Sequence, residues 1–297
     1  LRLVAARNAT QQVKFVLRQI HCRAVAEVRG VFLEPLQREN IRLAATVMIV
    51  RDKPASSGFG IEVFMMKRPG KGDFPDLHVF PGGKVEASDW QPELCPDMTD
   101  AEASERLGIE DGGLRYWMAV ARECFEECGV LLARDRLGAM GFDETQRESL
   151  QLARQQLLKD EMSWHGLLQE NTLTVAVDRL VYFSHWITPP SVPRRFDTRF
   201  FLAALPDGEV AIADTQETIA GEWVDPSEAM AKQVAGEWLM IDPTLRSLET
   251  LAAYKSVDEA LTEVGAERHV LAWKPELGKQ GMQPFRPGFQ IDEATGT

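Results

Sequence analysis

The stretch LRYWMAVARECFEECGVLL, residues 114–132, carries the pattern that decides the fold. At about 100° per residue, its apolar side chains share one broad helical face, made of Leu114, Trp117, Met118, Ala121, Cys124, Phe125, Cys128, Leu131 and Leu132. Glu123, Glu126 and Glu127 fall on the opposite face. Like charges at these spacings repel by roughly 0.2–0.5 kcal/mol per pair, and Arg122 relieves only part of this through Glu126. A bound divalent cation would reverse the repulsion, whereas a plain solvated acidic face is the alternative.

A second stretch, HVFPGGKVEASDW at residues 78–90, joins an apolar strand to a Gly-Gly turn. Because glycine has no Cβ, Gly82 and Gly83 let backbone groups approach a ligand closely. The helical carboxylates that follow suit Mg²⁺ or Mn²⁺, which prefer oxygen ligands. The glycine turn therefore favours a cation site over a solvated face.

Together the two stretches resemble the Nudix box. That motif is Gly, five residues, Glu, seven residues, then Arg-Glu-U-x-Glu-Glu-x-Gly-U, where U is bulky and aliphatic. The matching residues are Gly83, Arg122, Glu123, Glu126, Glu127, Gly129 and Val130. Two features depart from the motif: Asp89 stands in place of the first glutamate, and the gap for seven residues holds the 32 residues Trp90–Ala121. Since this insertion contains turn residues such as Gly112 and Gly113, we predict an excursion from the loop, after which the box resumes on the helix.

The interrupted box, with FPGG before it, resembles the Nudix branch that includes coenzyme A and acyl-CoA diphosphatases. Similarity continues through WITPPSVPRRFDTRFF and EWVDPSEAM, so it covers roughly residues 40–250. The resemblance implies an α/β (α+β) Nudix-type sandwich, with mixed β-sheets flanked by helices and extra helical insertions. It implies an enzyme that hydrolyses a phosphoanhydride in a nucleoside diphosphate derivative. CoA or acyl-CoA is the first expectation, with 3′,5′-ADP and (acyl-)phosphopantetheine as products. ADP-ribose, NADH or dinucleoside polyphosphates are alternative substrates, and a catalytically inactive ligand-sensing module is an alternative function.

The resemblance also implies roles for single residues. Glu123, Glu126 and Glu127 would bind Mg²⁺ or Mn²⁺ together with the carbonyl oxygen of Gly82, and Glu123 would take part in catalysis. Arg122 would orient a glutamate of the helix. A further carboxylate, as ligand or base, is predicted at Glu217, and Glu222, Asp214 and Glu209 compete for that role.

Four arginines are predicted to bind substrate phosphates, because guanidinium forks match phosphate geometry. They are Arg68, at the end of a predicted strand, and Arg194, Arg195 and Arg199, which follow a proline-rich loop. Salt bridges within an acidic protein are the alternative interpretation.

Around the box, the hydrophobic pattern predicts strands at 43–50, 61–68 and 77–80, three further strands after residue 177, and a helical segment near 243–265. We predict a Nudix domain at 41–265, with insertions at about 90–115 and 135–170, and a C-terminal tail at 266–297. Residues 1–40 form a predicted amphipathic extension. Its arginine-rich start resembles targeting segments, but a packing or dimerisation helix and an overlong reading frame are alternatives.

Composition excludes several classes of protein. The net charge of −12 argues against a surface that coats nucleic acid. No apolar run approaches the roughly 18 residues of a membrane-spanning helix. The four cysteines include no CxxC pair and are too few for a disulfide framework, which favours a reducing, cytoplasmic location. The predicted partner is a small nucleoside diphosphate substrate; the sequence leaves the oligomeric state open, including a homodimer.

Overall fold

The computed structural model describes residues 41–70, 76–189, 194–214, 219–267 and 270–273. All of them belong to one of the chain's two compact units, Glu39–Gln290. The predicted extension 1–40 and Glu217 lie outside the described residues, as does most of the predicted tail. Among the described helices, none is both long and apolar enough to cross a membrane.

The described chain contains both strands and α-helices. The strands are β1 (Ile41–Asp52), β2 (Ile61–Lys67), β3 (His78–Val79), β4 (Gly82–Lys84), β5 (Ala133–Arg134), β6 (Thr174–Val175), β7 (Val181–Ile187), β8 (Arg195–Ala204), β9 (Ala220–Val224) and β10 (Ala272–Trp273). The α-helices are α1 (Asp100–Leu107), α2 (Leu114–Cys128), α3 (Glu144–Leu157), α4 (Trp164–Glu170), α5 (Pro226–Val234), α6 (Asp242–Leu251) and α7 (Val257–Ala266).

The main sheet is mixed and is organised around β1. Its strand order is β10-β7-β8-β1-β2-β3, with β4 paired to the first half of β1 and β9 paired to β2. The β1–β8 pair is parallel, whereas β1 runs antiparallel to β2 and β4. β1 is apolar on both faces because both faces of the sheet are covered.

Two hydrophobic cores flank this sheet. Ala45, Val47 and Ile49 of β1 pack towards α2 in the first core, which also takes in residues of α3 and α4. Met48 and Val50 pack into the second core with α5, α6 and α7 on the other face. Helices therefore cover both faces of a mixed sheet, which is the predicted sandwich arrangement.

The insertion between the two halves of the box docks on the start of α2. The carboxylate of Asp100 accepts hydrogen bonds from the amides of Gly112 (2.9 Å) and Leu114 (3.0 Å). A Cβ on Gly113 would lie 2.3 Å from the backbone nitrogen of Ser104, so only glycine fits there. The chain therefore makes the predicted excursion, and the motif resumes on a continuous helix.

Three boundaries differ from the sequence prediction. The helix expected to reach Leu132 ends at Cys128, because Gly129 adopts a left-handed conformation (φ 71°). The helical segment near 243–265 is two helices, since Ser256 caps a new one by accepting from the amide of Glu259. Part of the predicted tail, β10, pairs with β7, so this strand belongs to the sheet.

Candidate active site

The glycines of the predicted Gly-Gly turn are instead the first two residues of strand β4, and they lie directly against the acidic face of α2. Gly83 pairs with Ala45 of β1, and a Cβ on Gly83 would lie 2.4 Å from the carboxylate of Glu123. Gly82 has φ 155°, and a Cβ there would lie 2.5 Å from the carbonyl oxygen of Ala45. At Gly82 the backbone of β1 leaves no room for a side chain, and at Gly83 a side chain would displace the carboxylate of Glu123.

The carboxylate of Glu127 is hydrogen-bonded to the backbone of β4. The amide of Gly82 donates to Glu127 Oε2 at 2.6 Å, although the two residues lie 45 positions apart. Glu127 is only 8% exposed. A hydrogen bond to a carboxylate at this distance fixes the last turn of α2 to the start of β4.

Arg122 is the centre of the cluster. Its Nε and Nη2 donate to the two oxygens of Asp89 at 2.8 and 3.1 Å, a bidentate pair that joins the two halves of the box. Its Nη1 donates to Glu123 Oε1 at 2.9 Å and to Glu126 Oε2 at 3.0 Å. Nη2 also donates to the carbonyl oxygen of Lys84 at 2.9 Å. Burial alone would lower the pKa of Arg122, but the surrounding carboxylates raise it above its ordinary value.

Asp89, the departure from the motif, is 1% exposed and serves two partners. Besides binding Arg122, its Oδ2 accepts from the amide of Glu86 at 2.7 Å. The shorter side chain is thus held by a local turn, Ala87–Asp89, as well as by the guanidinium.

The acidic face of α2 is not a solvated surface. The side chains of Glu123 and Glu126 are 13% and 22% exposed, because α2 packs on β4. Burial raises the pKa of Glu126 to about 7, against the opposing charge of Arg122. A carboxylate held in such surroundings gains from a nearby cation more than an exposed one does.

No three His, Cys, Asp or Glu side chains of the described residues stand in a ready metal-binding arrangement. The contacts above explain this, since Arg122 binds Glu123 and Glu126 while the Gly82 amide binds Glu127. Each of these bonds uses one oxygen of its carboxylate. An all-oxygen donor set suits a hard divalent cation, so the residues fit the predicted ion in chemistry.

The three alternatives to Glu217 occupy different places. The amide of Asp214 donates to the carbonyl oxygen of Glu127 at 2.7 Å, which sets Asp214 beside the acidic helix. Glu209 Oε2 accepts from the amide of Leu131 at 3.4 Å, and burial raises its pKa. Glu222 forms an ion pair with Lys232 at 3.1 Å. Among these three, Asp214 is therefore the one that the structure brings to the acids of the box.

The four predicted phosphate-binding arginines are not grouped as one open patch. Arg194 is exposed and Arg68 is half-buried. Arg195 is 7% exposed, and its Nε donates to the carbonyl oxygen of Thr188 at 3.1 Å. Arg199 is 3% exposed and belongs to a second polar cluster.

This second cluster, called here the Arg199 cluster, comprises Arg199, His185, Asp197, Tyr182 and Tyr116. Nη1 of Arg199 donates to the hydroxyl of Tyr182 at 3.2 Å and to Nδ1 of His185, whose Nε2 lies 2.6 Å from Asp197 Oδ1. The guanidinium lies over the ring of Tyr116, 5.6 Å from its centre. These contacts and its burial argue against the predicted phosphate contact for Arg199, because its guanidinium already has Asp197, His185 and Tyr182 as partners inside the protein.

Sequence reasoning missed Arg154 of α3. It is 7% exposed, and its guanidinium binds the carbonyl oxygen of Glu126. The available signal was periodicity: Arg154 lies at helical spacing from the buried Leu150 and Leu157, on the apolar side of α3. A charged residue at such a position indicates a buried polar partner.

Known proteins resemble this chain over a region that includes α2. A family model described as the NUDT19 Nudix domain matches residues 111–251, which include the second half of the box. The acyl-coenzyme A diphosphatase NUDT19 of Homo sapiens is 26% identical over 240 residues, covering 69% of this chain and 64% of the human protein. The protein of that name from Gallus gallus is 27% identical over 269 residues, covering 73% of this chain and 70% of the relative. The match thus spans less than two thirds of the human protein's length.

A solved structure shares the architecture. The NUDIX hydrolase from Alicyclobacillus acidocaldarius is 26% identical and has a TM-score of 0.56, with 76% of this chain and 97% of that chain covered. The predicted fold class is confirmed by this likeness together with the mixed sheet and its flanking helices.

Proposed function

Because the chain belongs to the Nudix superfamily, we propose that it hydrolyses a phosphoanhydride bond in a nucleoside diphosphate derivative and depends on a divalent metal ion. The observation that carries this proposal is that Glu123, Glu126 and Glu127 lie together beside Gly82 and Gly83 of β4. Charged oxygens concentrated beside the closely approaching backbone of Gly82 and Gly83 supply ligands for a divalent cation.

The residues of the site have different proposed roles. Glu123, Glu126 and Glu127, with the Gly82 carbonyl oxygen, would hold Mg²⁺ or Mn²⁺. A divalent cation held there neutralises phosphate charge and makes water a better nucleophile near neutral pH. Arg122 keeps the carboxylates of Glu123 and Glu126 in place through charge-assisted hydrogen bonds. The distal carboxylate is proposed at Glu217, with Asp214 as the first alternative.

We propose CoA or acyl-CoA as the substrate, cleaved to 3′,5′-ADP and (acyl-)phosphopantetheine. Support comes from the family model and from the names of the human and chicken relatives. CoA also carries a 3′-phosphate beyond its diphosphate, which calls for cations outside the acid cluster. Of the four predicted arginines, the exposed Arg194 and the half-buried Arg68 are suited to such a contact.

Metal dependence tests the reaction itself. Hydrolysis of a diphosphate substrate should stop in excess chelator and return when Mg²⁺ or Mn²⁺ is added back, and saturating metal should raise the melting temperature. Full turnover in chelator would contradict the proposal. Nucleotide binding without turnover at any metal concentration would support a ligand-sensing module instead.

The substrate is tested by comparing kcat/KM for CoA, short acyl-CoAs, NADH, ADP-ribose and nucleoside triphosphates under one metal condition. We expect a CoA species to give the highest value. A higher kcat/KM for ADP-ribose or NADH would remove the CoA assignment and leave the metal-dependent diphosphatase in place.

A further inference from the structure

The segment 209–214, called here the clamp loop, runs along the end of α2 in the opposite direction. Its bonds start with Glu209 Oε2, which accepts from the amide of Leu131. The amide of Ile212 then donates to the carbonyl oxygen of Cys128 at 2.8 Å, and that of Asp214 donates to the carbonyl oxygen of Glu127 at 2.7 Å. The last carbonyl groups of a helix have no partner within the helix. Here the clamp loop satisfies two of them.

Arg154 connects the same two segments from a third element, α3. Its Nε and Nη2 donate to the carbonyl oxygen of Glu126 at 3.2 and 2.9 Å, and Nη2 also donates to the carbonyl oxygen of Ile212 at 3.4 Å. A cation at a helix C-terminus is stabilised by the helix dipole. Burial nevertheless lowers the pKa of Arg154 from its ordinary value, so this charge is placed at an energetic cost.

The glycine that closes the box accommodates this arginine. A Cβ on Gly129 would lie 2.9 Å from Nη1 of Arg154 and would sit on a backbone with φ 71°. Gly129 therefore ends the helix and also leaves space for the guanidinium at the helix end. The end of α2, the clamp loop and Arg154 thus form one packed unit at the acidic end of the box.

We propose that Arg154 is a positioning residue for the reaction: it fixes the clamp loop against the last turn of α2 and so sets where the chain presents its further carboxylate. This inference rests on the proposed function. Arg154 binds the backbone of Glu126, a proposed metal ligand, and the clamp loop ends at Asp214, bonded to the backbone of Glu127, another such ligand. Any displacement of this loop changes the separation between the box and the acid that follows it.

The test compares Arg154→Met and Arg154→Lys with Arg147→Met as the matched control. Arg147 lies two turns earlier on α3 and binds the carbonyl oxygen of Gly208, which precedes the clamp loop, so it controls for the loss of an α3 arginine away from the carbonyl oxygen of Glu126. Misplacing a catalytic group by about 1 Å can reduce a rate by about 100-fold. We expect kcat of Arg154→Met to fall by up to that factor with KM little changed. Arg154→Lys should recover part of the loss, and Arg147→Met should retain the parent rate. An unchanged kcat in Arg154→Met would overturn the proposal, and if that variant does not fold, Arg154→Lys decides.

Double-mutant cycles separate positioning from a purely structural role. If Arg154 acts through the loop's acid, Arg154→Met should cost little more in an Asp214→Asn or Glu217→Gln background than that single change already costs. The background that shows this non-additivity identifies the acid. Equal fold-losses in the parent and in both backgrounds would overturn the positioning role.

Hydrogen exchange gives a readout that needs no turnover. In Arg154→Met the amides of Ile212 and Asp214 should exchange faster than in the parent, and unchanged exchange would overturn the clamp. If exchange responds as expected while the parent protein hydrolyses no diphosphate, the failure lies in the proposed function.

Discussion

Two polar clusters lie on the same face of the sheet and differ in their charge composition. Gly83, Ala45 and Arg199 pair in one row across β4, β1 and β8, so the backbones of Gly83 and Arg199 are about 10 Å apart at strand spacing. Three carboxylates surround the guanidinium of Arg122, and a fourth, that of Glu127, accepts from the Gly82 amide beside them. One carboxylate, one imidazole and two phenol groups surround the guanidinium of Arg199.

The difference shows how a buried cluster's composition relates to its role. In the Arg199 cluster one acid balances one guanidinium, and such a cluster fixes the packing of α2 on the sheet. In the box, acids outnumber the guanidinium, which favours a further cation. We therefore expect changes in the box to affect metal response and rate, and changes in the Arg199 cluster to affect stability alone.

The largest effect is expected for Arg122→Met. This change leaves Asp89, 1% exposed, without its buried partner, and breaking a buried pair costs about 3–5 kcal/mol. Thermal unfolding with and without Mg²⁺ measures it. Since the remaining acids then repel one another, saturating Mg²⁺ should restore part of the lost melting temperature. A melting temperature equal to the parent's would show that Arg122 does not hold the box together.

Glu123→Gln and Glu127→Gln come next. Each should reduce kcat by about 100-fold or more, the scale seen when a charge-stabilising group is removed. The fold should persist, because glutamine at 127 still offers an oxygen to the Gly82 amide and both changes reduce like-charge repulsion. Glu148→Gln, on the exposed side of α3, is the control. Near-normal kcat in either variant would remove that glutamate from the site.

Arg199→Met should produce a smaller and different effect. Asp197 keeps its contact with His185, so the loss of stability should be about 1–3 kcal/mol, with no recovery on adding Mg²⁺. Assayed well below its melting temperature, the variant should retain the parent's kcat and KM. A selective rise in KM would break the comparison and restore Arg199 to the substrate contacts that the sequence predicts.

The smallest effect concerns a cation outside both clusters. If Arg194 binds the 3′-phosphate, Arg194→Ala should raise KM for CoA about tenfold, the equivalent of a charge-assisted hydrogen bond of about 1.5 kcal/mol. KM for dephospho-CoA and both kcat values should change little. The exposed Arg179 supplies the control substitution. Equal changes with the two substrates would discard the 3′-phosphate role.

The fold and the core of the site were predictable because their signals are local. Helical spacing in residues 114–128 and the glycines at 82 and 83 encode an apolar face, an acidic face and a close approach, and the structure brings these together. The excursion was predictable because Gly112 and Gly113 cannot continue a helix cheaply.

The remaining parts depend on contacts that no short window of sequence contains. Arg199 stands in the same type of arginine-rich stretch as Arg194, and only the pairing of β8 with β7 buries it against His185. Arg154 acquires its partners from residues 28 and 58 positions away. Glu217 lies outside the described residues and stays a prediction.

The docking of the insertion through Asp100 bears on how readily the box assembles as the chain folds. The entropy lost on closing a loop grows only with the logarithm of its length, so widening the gap from seven residues to the 32 of Trp90–Ala121 costs about 1.3 kcal/mol at 25 °C. Once Asp100 binds the amides of Gly112 and Leu114, the stretches left to close are Trp90–Thr99 and Arg115–Ala121, about half of the 32 residues, and the second of these lies on α2. The Asp100 contacts thus shorten the loop that separates the two halves of the box, and Asp100→Ala should slow folding although Asp100 is only half-buried.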